Sequence, residues 1–268
     1  MEKKVQAKAK KTIPIPQKAF EKRKDTALYW LGNAGLFLNS RGTCLMIDPL
    51  LNDYPMPMLV DFPLDPDEVP HLEGVLITHS DDDHYYLPTC RKLSKVTARY
   101  HSTQYVAGLM KKERFSACGY AVGSHFTVGN VEITLTPADH CWQNDGAFGS
   151  FERVFKPEDC CGFWLETPDG SIWIPGDSRL MEAHLRMKAP DVILFDFSDD
   201  PWHIGAENAI LLANAYPKAL LLLSHWGSVD APGRLPFNAD PNVLEGRILN
   251  PKRILNYAPG EELILQGK

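Results

Sequence analysis

Short apolar runs punctuate the chain, and several stop abruptly on a histidine or an aspartate. The runs at 26–31, 35–38, 44–47, 74–77, 120–122, 131–135, 163–166, 172–174, 192–197 and 219–223 are three to six residues long. Runs this short, bounded by Gly, Pro, Asn and Asp, predict strands. Gly123-Ser124 and Gly129-Asn130 mark turns, and Pro168-Asp169-Gly170-Ser171 has the chemistry of a hairpin turn. Tyr105, Val106, Leu109 and Met110 fall at helical spacing and predict a helix over 102–112, with further helices over 86–95 and 206–215. Residues 50–73, rich in Pro, Asp and Met, read as a loop near the mouth of a site. Residues 141–159 form a polar and aromatic loop with Trp142, Phe148, Phe151 and Phe155. That loop is long for a connector, so a lid or substrate wall is expected there.

Candidate chemistry lies where the apolar runs stop. Gly74 to Tyr86 (GVLITHSDDDHYY) passes from a buried-strand pattern into two histidines and three acids. Imidazole suits zinc, iron and nickel, whereas carboxylate suits harder ions. Anionic groups this close repel one another unless a cation neutralises them. A solvated acidic turn accounts for Asp82 but not for His79 and His84 directly behind a buried strand. The same event recurs: His79, His140, Asp177 and His225 each follow an apolar run. Strand ends converging on one edge of a parallel or mixed sheet would gather these residues into a metal site. His71, His101, His125 and His184 have no motif around them and read as structural or exposed. There is no G-x-S-x-G and no GxxxxGK[ST].

Charge adds one asymmetry. Nine Lys and Arg against three acids give residues 1–25 a charge of +6, which leaves −12 for the rest of a chain whose net charge is −6. An acidic body argues against nucleic-acid binding. The basic head, 1–25, has no apolar core of signal length and reads as a solvated tail. No uncharged run reaches membrane-spanning length, so a soluble protein is expected. Six cysteines without CxxC spacing read as reduced thiols in the cytoplasm, with Cys141 structural. No low-complexity linker divides 26–268, which reads as one domain.

The set resembles the metallo-β-lactamase superfamily of hydrolases. That family's signature is His-x-His-x-Asp-His after a strand, then a lone His, an Asp in a Gly-Asp turn, and a last His. Here His79, Asp81, Asp83, His84, His140, Asp177 and His225 stand in that order. Trp30-Leu31-Gly32, Ile47-Asp48-Pro49 and Pro137-Ala138-x-His140 are similar to one branch, which contains ascorbate-6-phosphate lactonases and the phospholipase D acting on N-acyl-phosphatidylethanolamines. The resemblance implies an α/β (α+β) fold, a four-layer αββα sandwich. It implies one metal on His79, Asp81 and His140, another on Asp83, His84 and His225, and Asp177 bridging. A metal ion held there would supply hydroxide at neutral pH, and Asp83 or Asp177 is the candidate to orient it and handle its proton. His203, in Trp202-His203-Ile204-Gly205, would contact substrate. Asp48 could accept an N–H from a ligand histidine. Arg153 and Arg179 read as surface charge rather than anion partners.

Two positions depart from the pattern: Asp81 replaces the second signature histidine, and Asn33 replaces the branch's Leu-Gly-His histidine. A carboxylate at 81 makes that site harder and favours manganese or iron over zinc. Alternatively Asp81 does not ligate and a single ion binds. One or two divalent ions (manganese, iron or zinc) are therefore expected. The expected activity is hydrolysis of a small lactone or related carbonyl compound. The alternatives are a phosphodiesterase acting on a lipid or nucleotide and a non-catalytic metal-binding protein. The expected partners are a small-molecule substrate and a homo-oligomer, without nucleic acid or integral membrane association.

Overall fold

The apolar runs pair into two seven-stranded sheets in a computed structural model that describes residues 6–146, 151–265 and 267. Phe148 of the aromatic loop, and Lys3 and Lys4 of the basic head, lie outside the described residues. The first sheet takes β1 (Thr26–Gly32), β2 (Gly35–Ser40), β3 (Thr43–Ile47), β4 (Gly74–Leu76), β5 (Tyr100–Thr103) and β6 (Ala117–Tyr120). The second takes β7 (His125–Val128), β8 (Val131–Thr136), β9 (Gly162–Thr167), β10 (Gly170–Ile174), β11 (Val192–Phe195), β12 (Leu220–Leu223) and β13 (Ile254–Leu255). β14 (Glu262–Leu265) pairs with β1 and completes the first sheet. Each sheet joins an antiparallel half to a parallel half. The change falls at β3 in one sheet and at β10 in the other.

The side chains of β1 show how the layers form. Every residue of the strand is buried, because successive side chains enter different cores. Leu28 and Trp30 join Ile133, Phe163 and Leu165 between the sheets. Ala27, Tyr29 and Leu31 instead join residues of α1 (Leu87–Leu93) and α2 (Gln104–Lys112) on the outer face. On the far side, α3 (Ala206–Ala215) turns Ala209, Leu212 and Ala213 onto the second sheet's core. The result is the mixed α/β arrangement of two sheets between helices that the resemblance implies.

Several boundaries differ from the sequence reading. The helix expected from 102 begins at Gln104, because Ser102 and Thr103 end β5 and the Thr103 hydroxyl caps the helix by accepting from Val106 N. The strand expected at 120–122 is Ala117–Tyr120. The short strands β5 and β7 carry too few apolar residues to stand out by periodicity. Among the described residues no helix is long and apolar enough to cross a membrane.

The basic head is not a solvated tail in its described part. Residues 6–25 lie along the body, with Ala9, Ile15, Ala19 and Phe20 buried. The apolar residues interleaved with the lysines account for this: they pack inward while the charged ends stay in water. Backbone hydrogen bonds tie Ala9 N to Gly227 O, Ile13 N to Pro259 O and Ile15 N to Pro63 O. Gly227 has φ +62°, and a Cβ there would come within 2.5 Å of Ala9 N, so the crossing requires glycine.

The cysteines give a check on this packing. Burial pushes the Cys44 thiol up to about 12, and it also raises Cys90 and Cys161. Because the thiolate is the reactive form, native alkylation with iodoacetamide should spare Cys44, Cys90, Cys161 and the likewise buried Cys160, and confine labelling to Cys118 and Cys141. Peptide mass mapping before and after denaturation reads this directly. Native labelling of Cys90 would show that the α1 layer opens.

Candidate metal centre

Site residues stand at or beyond the C-terminal ends of strands from both sheets, facing one another across the top of the sandwich. Asp48 follows β3, His79 follows β4, His140 follows β8, Asp177 follows β10, His203 follows β11 and His225 follows β12. The turns that aim them are sharp. Asn33, Asp48 and His225 have φ of 44°, 44° and 60°, left-handed backbone that non-glycine residues adopt at a cost, typically at functional sites. Gly176 has φ +67°, and a Cβ there would meet Cys161 O at 2.9 Å. Only glycine lets this turn deliver Asp177 to the centre.

All seven residues read as ligands come together, with His203 among them. Five imidazoles surround one carboxylate oxygen. Asp177 Oδ2 lies 2.7 Å from His203 Nε2, 3.1 Å from His84 Nε2, 3.4 Å from His225 Nε2 and 3.9 Å from both His79 Nε2 and His140 Nε2. Asp83 Oδ2 lies 3.3 Å from His225 Nε2 and 3.7 Å from His84 Nε2. Asp81 Oδ2 lies 3.3 Å from His140 Nε2 and 3.5 Å from His79 Nε2.

Outer partners turn every histidine the same way. His84 Nδ1 donates to Asp48 Oδ2 at 2.9 Å, as Asp48 was read to accept. His79 Nδ1 faces Thr78 Oγ1 at 2.9 Å, and that hydroxyl donates to Asp48 Oδ2 at 2.6 Å. His140 Nδ1 donates to Trp202 O and His225 Nδ1 to Pro236 O, both at 3.0 Å. His203 Nδ1 faces Asp200 Oδ2 at 2.7 Å. An outer acceptor that holds the Nδ1 proton leaves the Nε2 lone pair pointing inward, as metal-binding histidines require.

The inward side shows what is needed there. His79 Nε2 and His225 Nε2 are buried and make no hydrogen bond among the described residues. Asp83, His84, Asp177 and His225 each offer a ligand atom within 4.8 Å of the others, as do His79, His140 and Asp177. Burial alone would raise the Asp177 carboxyl, yet His225, His84 and His203 hold it well below the usual range. Asp81 is likewise held low against its burial, by His79 and His140. Burial opposes charge on His84 too, but Asp177, Asp83 and Asp48 lift it well above the usual imidazole value. The carboxylates thus meet at a place that demands positive charge. Nitrogen and carboxylate donors in this number fit a divalent cation.

Sequence reading missed several participants. Asn33, a departure from the branch, has a full set of contacts. Its Nδ2 donates to Asp83 O and Oδ2, both at 3.2 Å, and its carbonyl accepts from His225 N at 2.8 Å. Asp200, which backs His203, stands three residues before it in the sequence, a signal that was open to reading. The Trp202 and Pro236 carbonyls carry no sequence signal. Arg153 pairs with Asp159 at 2.5 Å and stacks over Tyr105. Arg179 lies 3.7 Å from Asp139 and 3.5 Å from Asp145. Asp82 is exposed at the mouth.

The likenesses to known proteins agree with this geometry. A metal-dependent hydrolase of the UPF0173 group from Methanoculleus marisnigri is 28% identical over 208 residues, covering 76% of this chain and 82% of its own. In structure, the metallo-hydrolase Igni18 from Ignicoccus hospitalis aligns with a TM-score of 0.70 at 19% identity, covering 91% of this chain and all of the other. An isothiocyanate hydrolase from Delia radicum gut bacteria aligns with a TM-score of 0.71 at 18% identity, covering 90% of this chain and all of its own. The beta-lactamase superfamily domain matches residues 43–226, well over half the sequence. The chain belongs to the β-lactamase superfamily, and the relatives it matches are named as metal-dependent hydrolases.

Proposed function

We propose that the protein hydrolyses a small carbonyl compound, a lactone or a related ester, at a centre of two divalent ions. The two groups of donors would hold one ion each, His79, Asp81 and His140 on one side and Asp83, His84 and His225 on the other, with Asp177 between them. A divalent ion bound there supplies a water of lowered pKa and a Lewis acid for the carbonyl oxygen. The chain's own residues do the positioning. Asp83, steadied by Asn33 Nδ2, is placed to orient the attacking water and hold its proton at Oδ2. His203, fixed by Asp200, braces Asp177 and offers its ring to the substrate.

The observation that carries the choice of substrate is the cavity above the centre. It measures about 360 Å³, and Tyr54, Met56, Trp142, Trp202 and Phe237 supply much of its wall. Among the described residues Arg234 is the one Lys or Arg side chain that lines it, while Asp82 adds negative charge at the mouth. A small, mostly apolar, uncharged electrophile suits such a space. Away from the ions, a phosphodiester's second oxygen and its ester groups would find Arg234 but no further cation among the described lining residues. The contacts of Asn33 with Asp83 and His225 support retained rather than lost chemistry.

The test is turnover of a panel by protein reconstituted with manganese, iron or zinc: γ- and δ-lactones, aryl esters, an isothiocyanate and bis-p-nitrophenyl phosphate. The isothiocyanate is included because one structural neighbour is named for that activity. Lactone or ester turnover should be lost on chelation and restored by the ion. Turnover of the phosphodiester with none of the carbonyl compounds would overturn the reading.

A further inference from the structure

The histidines and Asp81 make opposite demands on their surroundings. A ligating imidazole carries an N–H on its outer nitrogen and needs an acceptor behind it. A ligating carboxylate has no proton to give, and its remaining lone pairs need donors. The site follows this division. Carboxylate, hydroxyl or carbonyl oxygens back the imidazoles, and none of the contacts described for Asp81 is with such an oxygen. Instead Trp142 Nε1 donates to Asp81 Oδ2 at 2.6 Å and Gln143 Nε2 donates to Asp81 Oδ1 at 2.8 Å. Gln143 is 7% exposed, and its Oε1 is buried without a partner among the described residues. Leaving that oxygen unpaired costs free energy, so the amide is held by what its nitrogen reaches.

We propose that Trp142 and Gln143 are positioning residues that make a carboxylate workable where the superfamily signature has its second histidine. They hold both oxygens of Asp81, fix its rotamer and keep Oδ2 facing His79 Nε2 and His140 Nε2. The change at 81 and the donors at 142 and 143 form one unit, so Asp81 is a ligand and the first metal position is intact. The loop after His140 therefore does two things, walling the cavity and setting the metal affinity of one side of the centre. This rests on the metal-dependent reading above.

The experiment is metal stoichiometry by plasma mass spectrometry together with competition against a chromogenic chelator. It uses full-length wild type, Gln143→Leu and Trp142→Phe, loaded with manganese or zinc. Wild type should hold two ions. Each substitution should weaken one of them by about 10- to 100-fold, the usual loss on removing an outer partner, and leave the other unchanged. Retention of that second ion also shows that the variant is folded. Two ions held with wild-type affinity in both variants would overturn the proposal, and so would a single wild-type ion indifferent to both substitutions. Failure of the underlying reading looks different: wild type would take up no ion from manganese, iron or zinc.

Discussion

Asp177→Ala should strip the centre of its metal and bring turnover below detection. Among the described residues no other carboxylate oxygen is approached by so many imidazoles: five Nε2 atoms lie within 3.9 Å of Asp177 Oδ2. Removing an outer partner of a ligand typically costs about 10- to 100-fold in affinity or activity. Removing the carboxylate shared by both halves of the centre should cost more. Metal content should fall from two ions to less than one per chain, and activity should fall with it. The fold should survive. Asp177 follows β10 and contributes nothing to the apolar layers. Chelated wild type and chelated variant should therefore melt within a few degrees of each other. Unchanged metal content and undiminished turnover would reject the shared role.

Much of the centre was legible because each part left a local mark. A buried run such as Val75-Leu76-Ile77 followed by His79, or Ile172-Trp173-Ile174 followed by Asp177, states both a strand and what stands at its end. Both layers of the first sheet were present in TALYWL, where every position is apolar or nearly so because both faces are covered. What was hidden is what depends on distant parts of the chain meeting. The carbonyls behind His140 and His225 belong to every residue alike. Trp142 and Gln143 looked like lid material, because their partner Asp81 is 61 and 62 residues away. The head looked like a tail, since its lysines dominate its composition. Yet Gln6 Nε2 donates to Val229 O at 2.7 Å and to Phe237 O at 2.9 Å, pinning the loop that walls the cavity. Asn33 was read as a departure because it was compared with a histidine. Its amide serves Asp83 and its carbonyl serves His225, functions no motif encodes.

Asp48 is where fold and site share a single side chain, so Asp48→Ala should damage both. Asp48 is 1% exposed at the end of β3. Its Oδ1 accepts from Thr78 N at 2.8 Å, and its Oδ2 accepts from the Thr78 hydroxyl at 2.6 Å and from His84 Nδ1 at 2.9 Å. Alanine would leave three buried donors without an acceptor, and it would have to adopt a left-handed backbone at φ 44°. Loss of one member of a buried, charge-bearing network typically costs on the order of 3–5 kcal/mol, and a large drop in melting temperature is expected. His84 would lose the acceptor that fixes its ring, so the ion on the Asp83–His84–His225 side should weaken by about 10- to 100-fold. The ion on the other side should weaken less, since His79 reaches Asp48 only through Thr78. Asp48→Asn separates the two effects. It fills the same space, but its amide nitrogen replaces one acceptor with a donor, so packing is kept while the hydrogen bonds to Thr78 and His84 are partly lost. The melting temperature should recover further than the metal affinity. If Asp48→Asn restored both equally, shape rather than acceptor chemistry would be what β3 delivers to the centre.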